Sequence, residues 1–480
     1  MAARTGAQFL SKLNDGREIW VDGEKVENVP EHPAFAGAAR ALGEVYDLQH
    51  EHADDCLMAD PETGEPIAVS HMLPKSREDL LRRHRGLQRV AEYSVGLMGR
   101  TPDYMNVTYA GFAARSDEWA VNGNERGAAN LVEYQTEMRR NDLGLTHTIV
   151  HTTFNLAAGT VPVGLEDRQL HKVEDTEHGI LVSGSRILAT LAPFADDLAV
   201  YPGSPMPDAA DKHAVCFNIP MNTPGLKFLC RDSTSRAWNL FDYPISSRFD
   251  EQDAFVIFDR VEVPRDRLFV DANLAVYNAV MQTSWWPNIM QQTMIRAQTK
   301  LEFAWGIACR MAETINTANK PETQHLLAEI WTYAELARAA ICAAEQNAKE
   351  YGNGAWFPEH EPLLALRASM PVWMPRVNEI IRQLGSHNIF TTPSQSQFED
   401  NELRPLLDHY LAGVEVDAER RARVFRLGWD FAGTALASRN EQYERFYLGS
   451  RGRNLMQAEM RADRTRADRL VDRFLDEPLD

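Results

Sequence analysis

Residues 180–188 read ILVSGSRIL and residues 254–263 read AFVIFDRVEV, and these two runs decide the fold class. Both are rich in β-branched and aromatic residues, which favour extended strands. A third run of this kind, residues 213–219, reads HAVCFNI. Turns in this region are marked by glycine and proline at Gly203, Pro205, Pro207 and Pro224. The middle of the chain is therefore predicted to form a compact β domain, either a sandwich or a barrel.

Helical periodicity flanks this β-rich region on both sides. From Arg40 to about Leu145, and again after about Tyr277, apolar residues recur three or four positions apart, as on one face of a helix. In the second region a stripe with steps of about 3.6 residues comprises Leu326, Ile330, Tyr333, Ala337, Ala340, Ile341 and Ala344. The sequence YGNG at residues 351–354 predicts a turn between two long helices. Interruptions of the helices are predicted at Pro358, Pro362, Pro371 and Pro375.

The predicted fold class is α+β, with three parts in chain order. Residues 1–145 form a mainly helical domain, residues 146–276 the β domain, and residues 277–480 a bundle of long helices with a tail. This order is typical of acyl-CoA dehydrogenase-like flavoproteins. A fold does not define a reaction, so the function must be argued from the residues of a site.

Composition and charge exclude several kinds of partner. The formal net charge of −19 disfavours nucleic acids and anionic membranes, because both attract cationic surfaces. The five cysteines are scattered, without a CxxC pair or a histidine cluster at zinc-ligand spacing, so no metal site is predicted. The first residues lack the apolar segment of a secretion signal, and no run of about 18 apolar residues occurs. We therefore expect a cytoplasmic protein with a small organic substrate.

The segment GRTPDY, residues 99–104, carries the first candidate site. Arg100 is a permanent cation with a planar fork of donors, and Tyr104 follows four residues later. If a helix begins at Pro102, both side chains can address one ligand, and such a pair can bind a phenolate oxygen. The alternative is that Arg100 pairs locally and Tyr104 packs in the core.

Two histidines lie at the passage from the helical part to the β part, in LTHTIVH at residues 145–151. Domain junctions are favoured places for ligand clefts. An imidazole can donate a hydrogen bond to a phenol, or take a proton from it, near neutral pH. Spacing alone does not choose between His147 and His151, and either can be a structural residue.

Two polar segments are further candidates. Residues 241–254, FDYPISSRFDEQDA, predict either a functional loop or a loop with a salt bridge between Arg248 and an acid. Residues 439–454, RNEQYERFYLGSRGRN, end a helix in glycine-rich basic sequence. Backbone N–H groups and arginines there can bind a phosphate or pyrophosphate, although a plain helix cap explains Gly449 equally well.

Nucleotide-binding motifs are absent from the sequence. It contains neither a GxGxxG opening a βαβ unit nor a GxxxxGK[ST] loop. A redox enzyme built in this way needs its electrons from another protein.

Together with residues 5–35 and 173–190, these segments resemble the oxygenase components of the 4-hydroxyphenylacetate 3-monooxygenase family, whose relatives include chlorophenol, nitrophenol and tyrosine-type hydroxylases. The resemblance spans nearly the whole chain. It implies an acyl-CoA dehydrogenase-like fold, a homotetramer assembled largely through the C-terminal bundle, and reduced FAD (FADH2) as a diffusible co-substrate with O2. It also implies a separate NAD(P)H:flavin reductase. The sequence after His147 lacks the proline-rich turn of the 4-hydroxyphenylacetate enzymes, which leaves the substituent on the ring open.

The resemblance assigns roles to individual positions. Arg100, Tyr104 and His147 match the residues that hold the phenolic oxygen, and Gly203 and Ser204 would face the substrate. Flavin contacts are implied for Thr153, Phe154, Asn155, Leu156, Thr190, Gly449, Ser450, Arg451 and Gly452. The implied reaction is ortho hydroxylation of a para-substituted phenol by a flavin C4a-hydroperoxide. Residues 201–208 would act as a lid that keeps water out.

Three other functions fit parts of the pattern. An acyl-CoA dehydrogenase-like enzyme would need a catalytic carboxylate beside a permanently bound flavin. A 4-hydroxybutyryl-CoA dehydratase-like enzyme would need an iron–sulfur cluster held by cysteines and a histidine, and no cysteine lies around GRTPDY. A non-catalytic flavin-binding relative would not need Arg100, Tyr104 and His147 together.

Overall fold

The structure of the chain, a computed structural model, describes residues 3–152, 166–206, 210–235, 239–280 and 285–476. Its first part consists mainly of helices, as predicted. The elements are α1 (Gly6–Ser11), β1 (Glu18–Val21), β2 (Glu24–Lys25), α2 (Ala36–Glu51), α3 (Ala53–Cys56), β3 (Leu57–Ala59), β4 (Pro66–Ala68), α4 (Arg77–Tyr93), α5 (Pro102–Ala114) and α6 (Glu125–Asn141).

The middle part is built from strands. These are β5 (Leu145–Thr148), β6 (Val150–His151), β7 (His171–Asp175), β8 (Gly179–Thr190), β9 (Asp197–Val200), β10 (Cys216–Pro220), β11 (Leu226–Cys230), β12 (Asp253–Pro264) and β13 (Leu268–Val270). Within the described ranges they form a seven-stranded sheet of order β2-β1-β11-β12-β8-β6, with β7 also paired to β8, and a four-stranded sheet of order β13-β10-β9-β5. The three predicted β runs correspond to β8, β10 and β12.

Strands β8 and β12 form the long antiparallel pair at the centre of the larger sheet. Ile180 lies opposite Val263, and Val182 lies opposite Val261. Along β12 the side chains of Val256, Phe258, Val261 and Val263 are buried, as expected for a strand with one face in the core. The alternation of the sequence, with its charged residues facing solvent, therefore sets which face packs inward.

Strand β1 connects the N-terminal part to this sheet. Ile19 of β1 pairs in parallel with Phe228 of β11, so residues before the predicted domain boundary contribute to the middle sheet. The β propensity of EIWV at residues 18–21 is visible in the sequence, but its distant partner is not.

The last part is dominated by long helices. Its elements are α7 (Leu274–Ala279), α8 (Trp286–Thr314), α9 (Pro321–Gln346), β14 (Lys349–Glu350), β15 (Trp356–Phe357), α10 (His360–Phe390), α11 (Gln395–Glu399), α12 (Leu403–Tyr410), α13 (Ala418–Ala432), α14 (Ala435–Phe446), α15 (Arg451–Arg461) and α16 (Thr465–Leu475). The predicted turn at residues 351–354 joins β14 to β15, with Gly352, Asn353 and Gly354 at positive φ. One continuous hydrophobic core runs from the N-terminal helices through the sheets into this bundle.

The predicted interruption of the bundle by proline is wrong at two positions. Helix α10 continues through Pro371 and Pro375, and its backbone departs from helical geometry at Ser386, where φ is 44°. Burial of Leu363, Leu366, Met370 and other apolar side chains on one face stabilises the helix despite the lost backbone hydrogen bonds.

None of the helices in the described ranges is long and apolar enough to cross a membrane.

Candidate active site

The GRTPDY segment places Arg100 against Tyr104. Helix α5 begins at Pro102, with the extended residue Thr101 before it, and proline is favourable at this first position because its missing N–H would have no helical partner. Tyr104 therefore lies in the first turn. The Arg100 Cζ atom is 4.0 Å from the centroid of the Tyr104 ring, a cation–π distance.

His147 adjoins the same tyrosine. Strand β5 pairs in parallel with β9, which places His147 opposite Ala199, two residues before Tyr201. The imidazole stacks on Tyr104, with ring centroids 5.6 Å apart, and contacts Tyr201 at 5.4 Å. The structure thus brings together Arg100, Tyr104 and His147, which are separated by up to 47 positions in the sequence.

Helix α14 completes the surroundings of Arg100. The Arg100 Cζ atom is 4.4 Å from the ring centroid of Tyr447, the C-terminal cap of α14, and 5.7 Å from the ring centroid of Tyr443. Tyr443 and Tyr447 stack on each other at 4.7 Å, as their spacing of one helical turn allows. The guanidinium therefore lies in a box of aromatic rings.

Arg100 is a buried cation in this box. Its backbone N–H donates to Glu251 Oε1 at 2.7 Å, but no carboxylate of the described ranges lies within ion-pair distance of the guanidinium. Within those ranges the buried Nε and Nη1 atoms have no hydrogen-bond acceptor. Burial opposes the charge, yet the surrounding tyrosines, Tyr104 first, raise the pKa of Arg100 above its ordinary value. Such a site is arranged to receive an anionic oxygen.

His147 is held neutral beside this cation. Burial is the main cause that lowers the pKa of its imidazole well below the ordinary value, and the Arg100 charge adds to the effect. Its buried Nδ1 has no hydrogen-bond partner in the part of the chain that the structure describes. At neutral pH the ring can therefore donate one hydrogen bond and accept another.

His151 lies in a different environment. It is on β6, opposite Arg186 of β8. Burial, followed by the charges of Arg186 and His213, lowers the pKa of His151 to about 2. The structure therefore separates the two histidines that spacing alone left open, and it is His147 that contacts Tyr104.

The predicted lid begins beside the site. Tyr201 is buried, and the carbonyl oxygen of Gly203 accepts a hydrogen bond from Arg453 Nη2 at 3.0 Å. A side chain at residue 203 would overlap the Ile149 carbonyl, which explains the glycine. Asn278 exchanges two hydrogen bonds with the backbone of Met206, at 2.8 and 2.9 Å. Ser204 is exposed, and residues 207–208 of the lid lie outside the described ranges.

The predicted flavin contacts are only partly described. Thr153, Phe154, Asn155 and Leu156 lie outside the described residues. The Thr190 hydroxyl donates to Asp253 Oδ1 at 2.8 Å, which leaves its oxygen as an acceptor.

The turn from Gly449 to Gly452 carries the other predicted flavin contacts. Gly449 has a φ of 93°, and Ser450 caps α15, whose first residue is Arg451. A Cβ atom on Gly452 would meet no atom within 4 Å, so this turn borders open space. A helix N-terminus with free backbone N–H groups suits a phosphate or a polar ring edge.

The 241–254 segment supports the site. Its acids Asp250, Glu251 and Asp253 are paired with Arg231 and Arg439. Arg439 of α14 donates to Glu251 at 2.8 Å and to Asp253 at 2.7 Å. Since Glu251 also accepts the Arg100 backbone N–H, this network fixes the relative positions of α14, β12 and Arg100.

A second buried network holds the other end of α14. Glu444 accepts hydrogen bonds from Arg296 and Lys300 of α8, at 2.7 and 3.0 Å. Arg296 also donates to the Gly96 carbonyl, and its Cζ is 4.9 Å from the Tyr447 ring centroid. The pKa of Glu444 falls to about 2, because these two cations outweigh the effect of burial.

Sequence reasoning did not assign Tyr201, Tyr443 or Tyr447 to the site. The signal for the last two is their spacing of four within RNEQYERFY, which places both rings on one helix face. Tyr201 opens the predicted lid, but its proximity to His147 depends on the parallel pairing of β5 with β9.

Comparison with solved structures defines the class of fold. A 4-hydroxybutyryl-CoA dehydratase from N. maritimus superposes with a TM-score of 0.88 at 17% identity, over 100% of this chain and 96% of that chain. A glutaryl-coenzyme A dehydrogenase superposes with a TM-score of 0.51 at 12% identity, over 94% and 92%. These distant similarities concern the fold alone, which is acyl-CoA dehydrogenase-like.

Closer similarities define the family. Residues 5–270 match the family model of the 4-hydroxyphenylacetate 3-hydroxylase N terminal region, and residues 276–476 match that of the C terminal region. The 4-hydroxyphenylacetate 3-monooxygenase oxygenase component of Thermus thermophilus is 35% identical over 93% of this chain and 92% of its own length. The chain belongs to the 4-hydroxyphenylacetate 3-hydroxylase family.

Other members differ in the substrate that their names give. The oxygenase component of a 4-nitrophenol 2-monooxygenase from Rhodococcus is 32% identical over 93% of this chain and 86% of its own length. A solved 4-hydroxyphenylacetate 3-monooxygenase oxygenase component, complexed with FAD and 4-hydroxyphenylacetate, superposes with a TM-score of 0.93 at 33% identity, over 99% of both chains. The family, the fold class and the monooxygenase class predicted from the sequence are confirmed. The roles of individual site residues remain predictions.

Proposed function

We propose that the chain is the oxygenase component of a two-component flavin monooxygenase, which hydroxylates a para-substituted phenol at the ortho position. The observation that carries the proposal is the buried Arg100 guanidinium. Within the described ranges it has no carboxylate partner, and it lies in contact with Tyr104, which stacks on His147. A phenolate oxygen would supply the missing acceptor. The solved relative with FAD and 4-hydroxyphenylacetate supports this choice of ligand.

Arg100 has the main electrostatic role. Its charge is fixed at all accessible pH values, and burial strengthens its attraction for an anionic oxygen. It therefore favours the phenolate form of the substrate, or the negative charge that develops on the oxygen during reaction. A phenolate ring is electron-rich at its ortho carbon, and this carbon therefore reacts with an electrophilic oxygen atom.

His147 and Tyr104 orient the phenolic oxygen. The low pKa of His147 keeps its imidazole neutral at neutral pH, with a single N–H. We therefore assign it a hydrogen bond to the substrate oxygen rather than the role of a base that stores the substrate's proton. The Tyr104 ring contacts both the guanidinium and the imidazole, and the Tyr201 ring also packs against His147. These contacts limit the positions open to a bound ring.

Two further segments offer groups that fit a flavin. Thr190 offers an oxygen acceptor, and the Gly449–Gly452 turn offers backbone donors beside open space. Reduced FAD, when bound, supplies the electrons with which one atom of O2 enters the ring and the other leaves as water. Thr153, Phe154, Asn155 and Leu156 would complete the contacts, and a separate NAD(P)H:flavin reductase would deliver the cofactor.

Assembly and location belong to the same proposal. A homotetramer formed through the C-terminal helices is supported by exposed apolar side chains on α12, α15 and α16, among them Leu406, Tyr410, Met460, Leu470 and Phe474. A cytoplasmic location is supported by five unpaired cysteines.

The test uses photoreduced FAD, O2 and a panel of para-substituted phenols, without any reductase. We expect an ortho-diphenol product in amounts that match the FADH2 supplied, measured by chromatography with catalase present. Hydrogen peroxide alone with every phenol would contradict the proposal.

Two variants test the assignment of the site. Arg100→Ala and His147→Ala are expected to lose hydroxylation and release peroxide while FAD binding, measured by fluorescence, is retained. Unchanged coupling of O2 use to product in both variants would remove these residues from the proposed site.

A further inference from the structure

Arg186 of β8 is a cation in the interior of the β domain. Its side chain is fully buried, and its Nη1 donates to the carbonyl oxygen of Ile149 at 3.1 Å. In the part of the chain that the structure describes, its Nε and Nη2 have no hydrogen-bond acceptor. No carboxylate of those residues lies within ion-pair distance of the guanidinium, whereas the buried Arg139 and Arg439 have acidic partners. The acids of the described ranges therefore leave the Arg186 charge unbalanced.

The titratable groups that the Arg186 charge influences include His151, Tyr277 and Cys216. Burial, the main cause in each case, lowers the pKa of His151 to about 2 and raises the pKa of Tyr277 and Cys216 above their ordinary values. All three groups are therefore neutral at neutral pH. A buried cation among neutral groups destabilises the folded state, and departures of this kind are typical of functional sites.

The carbonyl that Arg186 binds lies where the chain passes from one sheet to the other. Strand β5 ends at Thr148 in the four-stranded sheet, and β6 begins at Val150 in the seven-stranded sheet. Ile149 is the single residue between them, and the Arg186 guanidinium gives its carbonyl a hydrogen bond. This bond restrains the β5–β6 corner, residues 148–150.

Residues of the candidate site lie on both sides of the β5–β6 corner. His147 precedes Ile149 by two residues, and the predicted flavin contacts begin at Thr153, four residues after it. The predicted lid packs on the same carbonyl, because a Cβ atom on Gly203 would come within 2.6 Å of the Ile149 oxygen. The Gly203 carbonyl in turn accepts the hydrogen bond from Arg453 of α15. One carbonyl thus joins the histidine of the phenol site, the lid and the helix at the predicted flavin turn.

We propose that Arg186 is a positioning residue for the hydroxylation. It holds the Ile149 carbonyl, and through it the β5–β6 corner, so that His147 is aligned with the phenol while the segment after β6 is aligned with the flavin. This inference rests on the proposed function, since it assigns how the two halves of that site are kept in register. A misplacement of about 1 Å between reacting groups can lower a rate about 100-fold, so the geometry of this corner affects the reaction.

The test replaces Arg186 by methionine and by lysine in the full-length protein. Arg186→Met removes the charge and the donor, and Arg186→Lys keeps both. For Arg186→Met we expect the Kd of photoreduced FAD, measured anaerobically by ultrafiltration, to rise about tenfold. With O2 and a phenol, the fraction of reduced FAD that yields hydroxylated product should fall about tenfold, with peroxide released instead. Arg186→Lys should restore much of both.

Stability separates positioning from a purely structural role. The midpoint of denaturant unfolding should stay at or above that of the wild type in Arg186→Met, because removal of the buried charge offsets the lost hydrogen bond. Arg139→Met is the matched control with the opposite expectation. Arg139 of α6 is also buried, but it pairs with Asp60 at 2.7 Å. Its loss should lower the midpoint and leave the flavin Kd and the coupling unchanged.

Gly203→Ala tests the corner from its other side. The added Cβ atom would meet the Ile149 oxygen, so this variant should show the same loss of coupling without any change at Arg186. The double variant with Arg186→Met should be little worse than either single variant, because both act on one carbonyl. If Arg186→Met does not fold, Gly203→Ala and Arg186→Lys decide the result, and wild-type coupling in Gly203→Ala would then overturn the inference.

Two further outcomes would overturn it. Arg186→Met could bind reduced FAD and couple O2 use to product as the wild type does. It could also lose stability and coupling together without rescue by lysine, which would make Arg186 a structural residue only. A wild-type protein that hydroxylates no phenol would instead contradict the proposed function, while the anaerobic FAD affinities would still test Arg186.

Discussion

Arg100 is held by aromatic rings rather than by acids. Its guanidinium lies 4.0 Å from the Tyr104 centroid and 4.4 Å from that of Tyr447. A planar guanidinium stacks on such rings and still directs its edge donors at a ligand, whereas an ammonium group cannot do both. The residue type, and not only the charge, is therefore set by the site.

Arg100→Lys tests this requirement at the scale of one residue. The variant keeps the charge and loses the planar donor fork, so we expect kcat/KM for phenol hydroxylation to fall about 10- to 100-fold, with more peroxide released per O2 consumed. The measurement is O2 uptake against product by chromatography. Arg310→Lys, on an exposed residue of α8, serves as the matched control. A fully active and coupled Arg100→Lys enzyme would show that charge alone suffices.

At the scale of elements, α14 is fitted closely against the turn before α5. A Cβ atom on Gly99 would overlap the Tyr443 hydroxyl, so the glycine before Arg100 is required by this contact. The buried Tyr443 hydroxyl has no hydrogen-bond partner among the described residues, so packing rather than a bond fixes it. Helix α14 is in turn tied to β12 by Arg439 and to α8 by Glu444.

Gly99→Ala should disturb this contact. We expect the free energy of unfolding to fall by about 1–3 kcal/mol, the usual effect of overpacking, together with a loss of hydroxylation because Arg100 is displaced. Removing the hydroxyl in Gly99→Ala/Tyr443→Phe should restore part of the stability, since the first overlap is relieved. Denaturant unfolding of the two single variants and the double variant measures the coupling. Strictly additive effects would mean that the two residues do not meet.

Arg439→Gln should be more severe, because it leaves the carboxylates of Glu251 and Asp253 buried with fewer partners. Breaking a buried pair of this kind costs about 3–5 kcal/mol. The exposed pair of Arg338 and Glu335 provides the comparison, and Arg338→Gln should change stability by less than about 1 kcal/mol. Equal effects of the two substitutions in thermal unfolding would contradict the structural role of Arg439.

At the scale of the whole molecule, buried histidines determine how stability depends on pH. Burial, the first cause in each case, lowers the pKa of His147, His151, His213 and His360, with His360 at about 4. Below pH about 6.5 the unfolded chain binds protons at these rings and the folded chain does not, so the free energy of unfolding falls as pH falls. Burial has the opposite effect on the carboxyl groups of Asp103 and Asp197, whose pKa it raises to about 6. Between pH 6 and 4 these two groups bind protons in the folded chain first, so they partly offset the loss of unfolding free energy caused by the histidines.

The expected result is a decrease in unfolding free energy from pH 7 to pH 5. Each buried imidazole contributes up to about 1.4 kcal/mol per pH unit within this window. His360→Gln should flatten the curve measured by denaturant unfolding, with His325→Gln at an exposed position as the matched control. A stability that rises on acidification over this range would contradict the burial of these rings.

The fold was largely predictable from local pattern. The β-branched and aromatic residues of 180–188 and 254–263 predicted β8 and β12, because such residues favour extended strands. The stripe from Leu326 to Ala344 predicted α9, because its steps follow from helix geometry. Motifs marked Arg100, Tyr104 and His147 as candidate site residues, because each lies in a short stretch with a recognisable composition. The prediction for Pro371 and Pro375 was wrong because the packing of α10 outweighs a local penalty.

By itself the sequence determined the order of helices, strands and bundle, the family, and the residue types available for chemistry. Only the tertiary structure decided which of these residues contact one another. The pairing of β5 with β9 placed His147, and not His151, against Tyr201. The packing of α14 and its C-terminal cap brought Tyr443 and Tyr447 to Arg100, and α15 placed Arg453 against the Gly203 carbonyl. Such contacts join residues hundreds of positions apart. They depend on burial and on the fit between elements, which local periodicity does not encode.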